Sequence, residues 1–357
     1  MQETSVLHPP ETVAIAGLSG GVDSSVAALL ALRAGMRVIG VTLATPGAKP
    51  DEAAASCREL GIEHRVIEAR EPFERCVVGE FVESWAHGLT PNPCVDCNPR
   101  VKFSLLVREA DVLGGAAIIT GHYARVARSG DEMHLLRATE ATRDQSYMLH
   151  RLPQEVLARL ILPLGELGKQ QVRRLAAEAG LTAADREASQ DVCFTPDVAE
   201  LVRERRPEAL QPGPIVDTRG RQVGVHRGLA RYTVGQRRGL GIGGPDGPLF
   251  VLRIEPERNA VVVGPEEALW VEETRVERVH AVGAFAGAMF EASVMTRYRG
   301  TETPARVEVE GERGRIHFRR PHRAPAPGQS AVFYDGERCL GGGVIVRTDA
   351  GTGIQQG

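Results

Sequence analysis

The sequence predicts an α/β fold: a doubly wound parallel sheet followed by two small β-rich, barrel-like domains. Apolar strand-like runs alternate with helical stretches as far as residue 121, the pattern of βαβ units. From residue 209 short β-rich pieces are separated by glycine and proline turns, as in small barrels. The chain also has 357 residues, more than one core usually organises. The expected division is an α/β domain with a helical end at 1–208, a central β-rich domain at 209–275 and a C-terminal barrel at 276–349. A disordered tail closes the chain at 350–357.

The first strand lies within Thr12-Val-Ala-Ile-Ala-Gly17, and Gly17, Gly20 and Gly21 form a turn into a helix at 24–35. Such a turn presents free backbone N–H groups and a positive dipole end to an anion. A second strand is predicted at 37–43, a helix at 51–60, a third strand at 64–68 and a longer helix at 72–86. Helix spacing recurs at 100–113, and residues 116–121 form a fourth strand. Residues 152–208 read as helical, with 169–179 the clearest helix, and Pro207, Pro212 and Pro214 mark the boundary. Beyond it, strands are expected at 248–254, 260–264, 292–297, 305–309, 329–334 and 342–346.

No run of eighteen apolar residues occurs, and residues 1–11 lack a basic-then-apolar leader, so a cytoplasmic location is expected. The net charge of −3 gives no global sign of nucleic-acid binding, although residues 201–260 carry eleven arginines against six acids. Only three lysines (Lys49, Lys102, Lys169) occur among 43 basic residues. A GC-rich genome would produce the same bias, so it is neutral for function.

The glycine turn, Ser19-Gly-Gly-Val-Asp-Ser24, is no Walker A loop, since it has no lysine. Its hydroxyls add donors, and Asp23 could orient a ligand or hold Mg2+. Thr90-Pro-Asn-Pro-Cys94-Val-Asp-Cys97-Asn-Pro99 reads as a proline-stiffened loop carrying a Cys-x-x-Cys pair, a spacing used for redox chemistry, zinc or iron–sulfur clusters. One pair cannot close a structural zinc site. Cys57, Cys76 and Cys339 read as small buried hydrophobes. Cys193 differs, standing in the polar stretch Ser189-Gln-Asp-Val-Cys-Phe194.

The glycine turn resembles the pyrophosphate loop of enzymes that cleave ATP between its α- and β-phosphates. Together with Thr90-Pro-Asn-Pro, Cys97-Asn98, Thr120-Gly-His-Tyr123, Arg143-Asp-Gln-Ser-Tyr147, Val192-Cys-Phe194, Gly235-Gln-Arg-Arg-Gly-Leu-Gly-Ile-Gly243, Thr296-Arg-Tyr298 and Pro327-Gly-Gln-Ser-Ala-Val-Phe-Tyr334, it resembles the bacterial tRNA-specific 2-thiouridylase family, MnmA. The resemblance runs from about residue 12 to residue 346. It implies sulfur transfer to C2 of the wobble uridine in tRNAs for lysine, glutamate and glutamine.

By that resemblance Gly17, Leu18, Ser19, Gly20, Gly21, Val22, Asp23 and Ser24 hold ATP, with Leu43 and Gly121 beside the adenosine. Asn92, Pro93 and Cys94 face the target base. His122, Arg143, Asp144, Gln145, Arg297, Tyr298 and Gln329 contact tRNA. Cys97 corresponds to the nucleophile and Cys193 to the persulfide carrier, supplied by a cysteine desulfurase or a relay carrier. Many members carry Asp where Cys94 stands. Cys94, Cys97 and Cys193 could instead hold an iron–sulfur cluster that carries sulfide. Other readings of the same loop are an adenylating ligase of the argininosuccinate-synthase kind and a non-catalytic ATP-binding protein.

Overall fold

The computed structural model describes residues 4–5, 12–186, 192–243, 247–285 and 287–347. The expected tail at 350–357 and the polar residues Ser189 to Asp191 lie outside them. Among the described residues no helix is long and apolar enough to cross a membrane.

Five parallel strands form the first sheet, in the order Glu63–Glu68, Arg37–Ala44, Val13–Gly17, Ala117–Ile119, Leu160–Ile161. The central strand shows why helices cover both faces. Ile15 points into one core with Ile118, Phe103 and Leu106, while Ala14 and Ala16 point into another with Val26, Ala28 and Val172. A strand buried on both faces needs an apolar residue at every position. The chain crosses from one side of this strand to the other at Ala117–Ile119, so the switch point of the sheet lies between the first and fourth strands. The fifth strand is short and was missed inside the stretch read as helical.

Two long helices differ from expectation. Arg70–Phe73, Glu74–Val78 and Gly79–Ala86 run on as one helix with a π turn in its middle. Pro93–Cys97, Asn98–Lys102 and Phe103–Leu113 do likewise, so the expected proline-stiffened loop is the start of a helix instead. Proline is tolerated in a helix's first turn, where its missing N–H has no partner to lose, and Pro93 sits there. Asn92 caps that end, its side-chain oxygen accepting the Cys94 N–H at 3.2 Å. Pro99, which has no N–H for the preceding turn, falls in the π segment, where the helix widens.

The central unit is a four-stranded sheet, Gln222–His226, Gly213–Val216, Ala260–Gly264 and Phe250–Glu255. The C-terminal unit is a closed barrel of six strands: Trp270–Ala281, Met289–Met295, Thr303–Glu310, Arg313–Arg323, Ser330–Asp335 and Arg338–Ile345. A hairpin from the first unit, Arg125–Ser129 and Glu132–Leu136, pairs with the barrel's last strand. Met295, Val332, Tyr334 and Cys339 of the barrel accordingly share one core with Leu135, Tyr147 and Leu149.

His150 is fully buried at this junction; its Nδ1 lies 2.7 Å from the Tyr147 carbonyl oxygen, and among the described residues its Nε2 has no partner. Burial holds its pKa down at about 3. Above pH 6.5 the ring is neutral in folded and unfolded chains alike; below it the unfolded chain binds a proton that the folded chain refuses until about pH 3. Stability is therefore present above pH 6.5 and is lost as pH falls toward about 3. Urea midpoints measured across that range should fall more steeply for the natural chain than for His150→Gln; parallel curves would contradict the assignment.

Candidate functional site

The glycine turn leaves the carboxyl end of the central strand and enters the helix Val22–Arg33. Gly20 has φ +81°, the left-handed region that L side chains rarely adopt. No side chain caps the helix, so its first N–H groups face outward for an anion. The serines shape the turn: Ser24 Oγ donates to the Gly21 carbonyl at 3.0 Å and accepts the Ser19 N–H at 3.2 Å. Ser25 is buried and bonds Ser56 at 3.0 Å.

The fourth strand ends against the same helix start. A Cβ on Gly121 would lie 2.6 Å from the Asp23 carbonyl carbon and 2.7 Å from the Ser24 nitrogen, so only glycine fits. Gln145 fixes this edge by bonding Tyr123 twice, accepting its N–H at 2.9 Å and donating its own backbone N–H to the Tyr123 carbonyl at 2.7 Å. Asp23 receives the Tyr123 hydroxyl at 2.7 Å and the Lys169 ammonium at 2.6 and 2.7 Å. A carboxylate so placed already meets a cation, and it fits the single protein ligand that Mg2+ uses beside phosphates. Arg186 donates to the Gly20 carbonyl oxygen and also reaches the Glu52 carbonyl oxygen, at 3.3 Å. Leu43 is half-buried at the end of the second strand.

Cys94, Cys97 and Cys193 form a second group. Cys94 and Cys97 lie in the first helical turns after Asn92, and Cys97 joins an apolar cluster with Phe73, Val77, Val101 and Phe194. Phe194 meets Phe73 and Phe81 edge-on, at centroid distances of 5.6 and 5.2 Å. Each such pair is worth about 1 kcal/mol beyond its buried area. That anchor brings the neighbouring Cys193 close enough for its charge to act on Cys97. The backbone oxygen of Cys193 also packs on Gly47, beyond the second strand; a Cβ there would stand 2.2 Å from it.

Burial raises the Cys97 thiol to about 11; Lys102 opposes the rise, and Cys94, Cys193 and Asp96 add to it. Cys193 is exposed as a residue, yet enough protein surrounds its sulfur for burial to raise its pKa too, again opposed by Lys102. Burial pushes the His122 pKa well down, and Lys102 adds to that, leaving a neutral ring whose Nδ1 sits 2.8 Å from Thr120 Oγ1. Among the described residues no three His, Cys, Asp or Glu side chains are grouped to hold a metal ion. Cys57 and Cys339 are buried, as expected, and Cys76 is half-buried in the apolar cluster.

Residues expected to contact tRNA are placed differently from one another. Asp144 is buried and spends its carboxylate inside the chain, on the Ala138 N–H at 2.9 Å and on Ser146. Arg143 is half-buried beside an open basic pocket with Lys169, Arg173 and Arg174. Arg297 is exposed, and Tyr298 packs 5.9 Å from Tyr147. Gln329 donates to the Thr90 carbonyl at 2.6 Å. Arg237 and Arg238 are exposed, and part of the arginine excess lines a second basic pocket with Arg203, Arg227 and Arg231.

Sequence reasoning missed Lys169, Arg186 and Lys102. The signal for two of them was present. In a chain that writes arginine for nearly every cation, two of three lysines stand at this site.

Comparison with known proteins gives three family models in register. A tRNA methyl transferase HUP domain matches residues 11–197, a tRNA methyl transferase PRC-barrel domain 200–265 and an aminomethyltransferase beta-barrel domain 271–345. The chain is 47% identical over 356 residues to the tRNA-specific 2-thiouridylase MnmA of Chloroflexus aggregans, covering 94% of this chain and 99% of that one. It is 46% identical to the protein of that name from Desulforudis audaxviator, over 94% and 98% of the two chains. The Geobacter metallireducens counterpart is 42% identical over 93% and 96%.

Gly121→Ala should weaken ATP binding at least about tenfold by calorimetry and also lower the melting temperature, because the new Cβ displaces the helix start that receives the phosphates. Unchanged affinity would show that this contact does not set the loop.

Proposed function

This chain belongs to the tRNA-specific 2-thiouridylase family, MnmA, and from that premise we infer how its site carries out ATP-dependent thiolation of tRNA. The target proposed is C2 of the wobble uridine in tRNAs for lysine, glutamate and glutamine, in the cytoplasm. The observation that carries the reading is that Cys97 and Phe194, the neighbour of Cys193, pack into one apolar cluster.

The C2 oxygen of a uracil is a poor leaving group. Its attack on the α-phosphorus of ATP converts it to AMP, which leaves readily, and pyrophosphate departs toward the uncapped helix start. Ser19, the N–H groups after Gly21 and Lys169 are proposed to stabilise that pyrophosphate, a reading supported by the uncapped helix start. Mg2+ bound with ATP would be held by Asp23 and would neutralise phosphate charge.

Sulfur arrives as a persulfide on Cys193, loaded by a cysteine desulfurase or a relay carrier. The Cys97 thiolate attacks the inner sulfur; the S–S bond of the persulfide breaks, a Cys97–Cys193 disulfide forms, and hydrosulfide leaves with the electron pair. Hydrosulfide attacks the adenylated C2 and displaces AMP. A thiol reductant then returns the disulfide to two thiols. Asn92, Pro93 and Cys94 are proposed to face the unstacked base, with Arg143, Gln145, His122, Arg297, Tyr298 and Gln329 around the RNA. Asp144 is proposed to act by holding the Arg143–Gln145 turn. A loop nucleotide suits such a site because it can be splayed out of its stack.

The assay combines unmodified tRNA, ATP and a persulfide-loaded donor. AMP, pyrophosphate and 2-thiouridine are expected, with product at least about a hundredfold lower for Cys97→Ser and Cys193→Ser and ATP binding retained. Full thiolation by Cys97→Ser would show that Cys97 is not the attacking thiol and would exclude the disulfide route. A raised Cys97 thiol also means that the thiolate fraction grows about tenfold per pH unit below about 11. Single-turnover sulfur transfer should therefore rise from pH 7 to pH 9; a flat profile would exclude Cys97 as the attacking thiolate in a rate-limiting step.

A further inference from the structure

Lys102 stands at a place that an α-helix would not give it. Five residues of α-helix turn about 500°, leaving residue 102 about 140° around the axis from Cys97. The turn between them is a π turn, Asn98–Lys102, closed by the Phe103 N–H on the Asn98 carbonyl. A turn closed five residues apart carries residues 97 and 102 toward one face. Pro99 inside it cannot donate to the Val95 carbonyl, which gives the sequence a reason to widen there.

The side chain is half-buried, and among the described residues its ammonium has no hydrogen-bond or ion-pair partner. Its charge acts on Cys97, on Cys193 and on His122, so it lies within electrostatic reach of all three. Beside it lies the apolar cluster of Phe73, Val77, Val101 and Phe194, a poor medium for screening. The other groups that face Cys97 are Asp96 and the thiols of Cys94 and Cys193, and all three oppose its ionisation. Asp96 is itself held by Arg151 and Arg278. Lys169, the chain's other half-buried lysine, by contrast already pairs with Asp23.

We propose that Lys102 is the cation of the sulfur step, placed by the π turn to stabilise negative charge on Cys97 and on the sulfur passed between Cys97 and Cys193. The proposal rests on the sulfur-transfer reading and adds to it the group that offsets the cost of burying a thiolate. It also gives the neutral His122 ring a reason to stay neutral, since a second cation beside Lys102 would be repelled.

The test is alkylation of the full chain by iodoacetamide between pH 7 and pH 10, read for each cysteine by peptide mass spectrometry. Cys97 should react about fivefold or more slowly at pH 8 in Lys102→Met, and within about twofold of the natural rate in Lys102→Arg. Cys76, on the other long helix, serves as the internal control and should not change. Lys102→Gln is the second neutral variant, used if the methionine variant lowers the melting temperature. Unchanged Cys97 reactivity in a folded neutral variant would overturn the proposal, as would equal slowing by arginine and methionine. The rate reports the charge state of Cys97 without tRNA, so failure here is distinct from failure of the thiolation assay.

Discussion

Three bonds to one residue tie the first unit to the other two beside the start of the thiol helix. The Thr90 N–H donates to the Pro327 carbonyl at 2.7 Å, its carbonyl accepts Gln329 Nε2 at 2.6 Å, and its hydroxyl meets Thr233 Oγ1 at 2.5 Å. The barrel and the four-stranded unit thus both grip the residue just before Pro91-Asn92-Pro93. The helix that starts there is held at its other side by buried Val95 and by Asn98, which donates to the Met148 carbonyl at 2.9 Å. Cys94 and Cys97 therefore have little freedom in where they point, and any base brought to them enters where all three units meet.

From that fixed point the site divides into two halves with opposite electrical tasks. On the side of the glycine turn the uncapped helix start and Lys169 carry positive charge, and Asp23 is the acid that balances the lysine there. The thiol half is apolar and raises both sulfurs above their ordinary pKa, with Lys102 working against the rise. A protonated thiol is inert as a nucleophile, so burial alone would leave no thiolate in that half. Arginine, spread over the outside in salt bridges and open pockets, is a planar fork; lysine is a compact charge on a flexible stem, suited to a cramped site beside sulfur.

Much of this was legible in the sequence where one physical rule acted alone. Continuous apolar runs gave the buried parallel strands, and glycine spacing gave the phosphate turn. The Pro91 to Pro99 segment misled because two rules compete there: proline breaks loops out of helices, but it also starts helices, and a π turn absorbs Pro99. The strands Trp270–Ala281 and Arg313–Arg323 escaped notice because each carries five charged residues, most of them exposed, diluting the apolar signal. Gly213–Val216 was hidden by its proline, read as punctuation. That Asp144 spends its carboxylate inside the chain cannot be read from a motif, since motif and partner are joined only by folding.

The central claim is that the anchor of Phe194 and the start of the helix at Pro93 bring two thiols 96 positions apart in the chain within bonding distance during sulfur transfer. The direct measurement is to mix persulfide-loaded enzyme with ATP and tRNA, quench in acid within one turnover, and sequence the cross-linked peptides without reduction. A disulfide joining Cys97 to Cys193, formed in step with thiolated product and absent without the persulfide, is the predicted result. Product forming while both thiols remain free, or Cys193 joined to Cys94 or Cys76 instead, would contradict it.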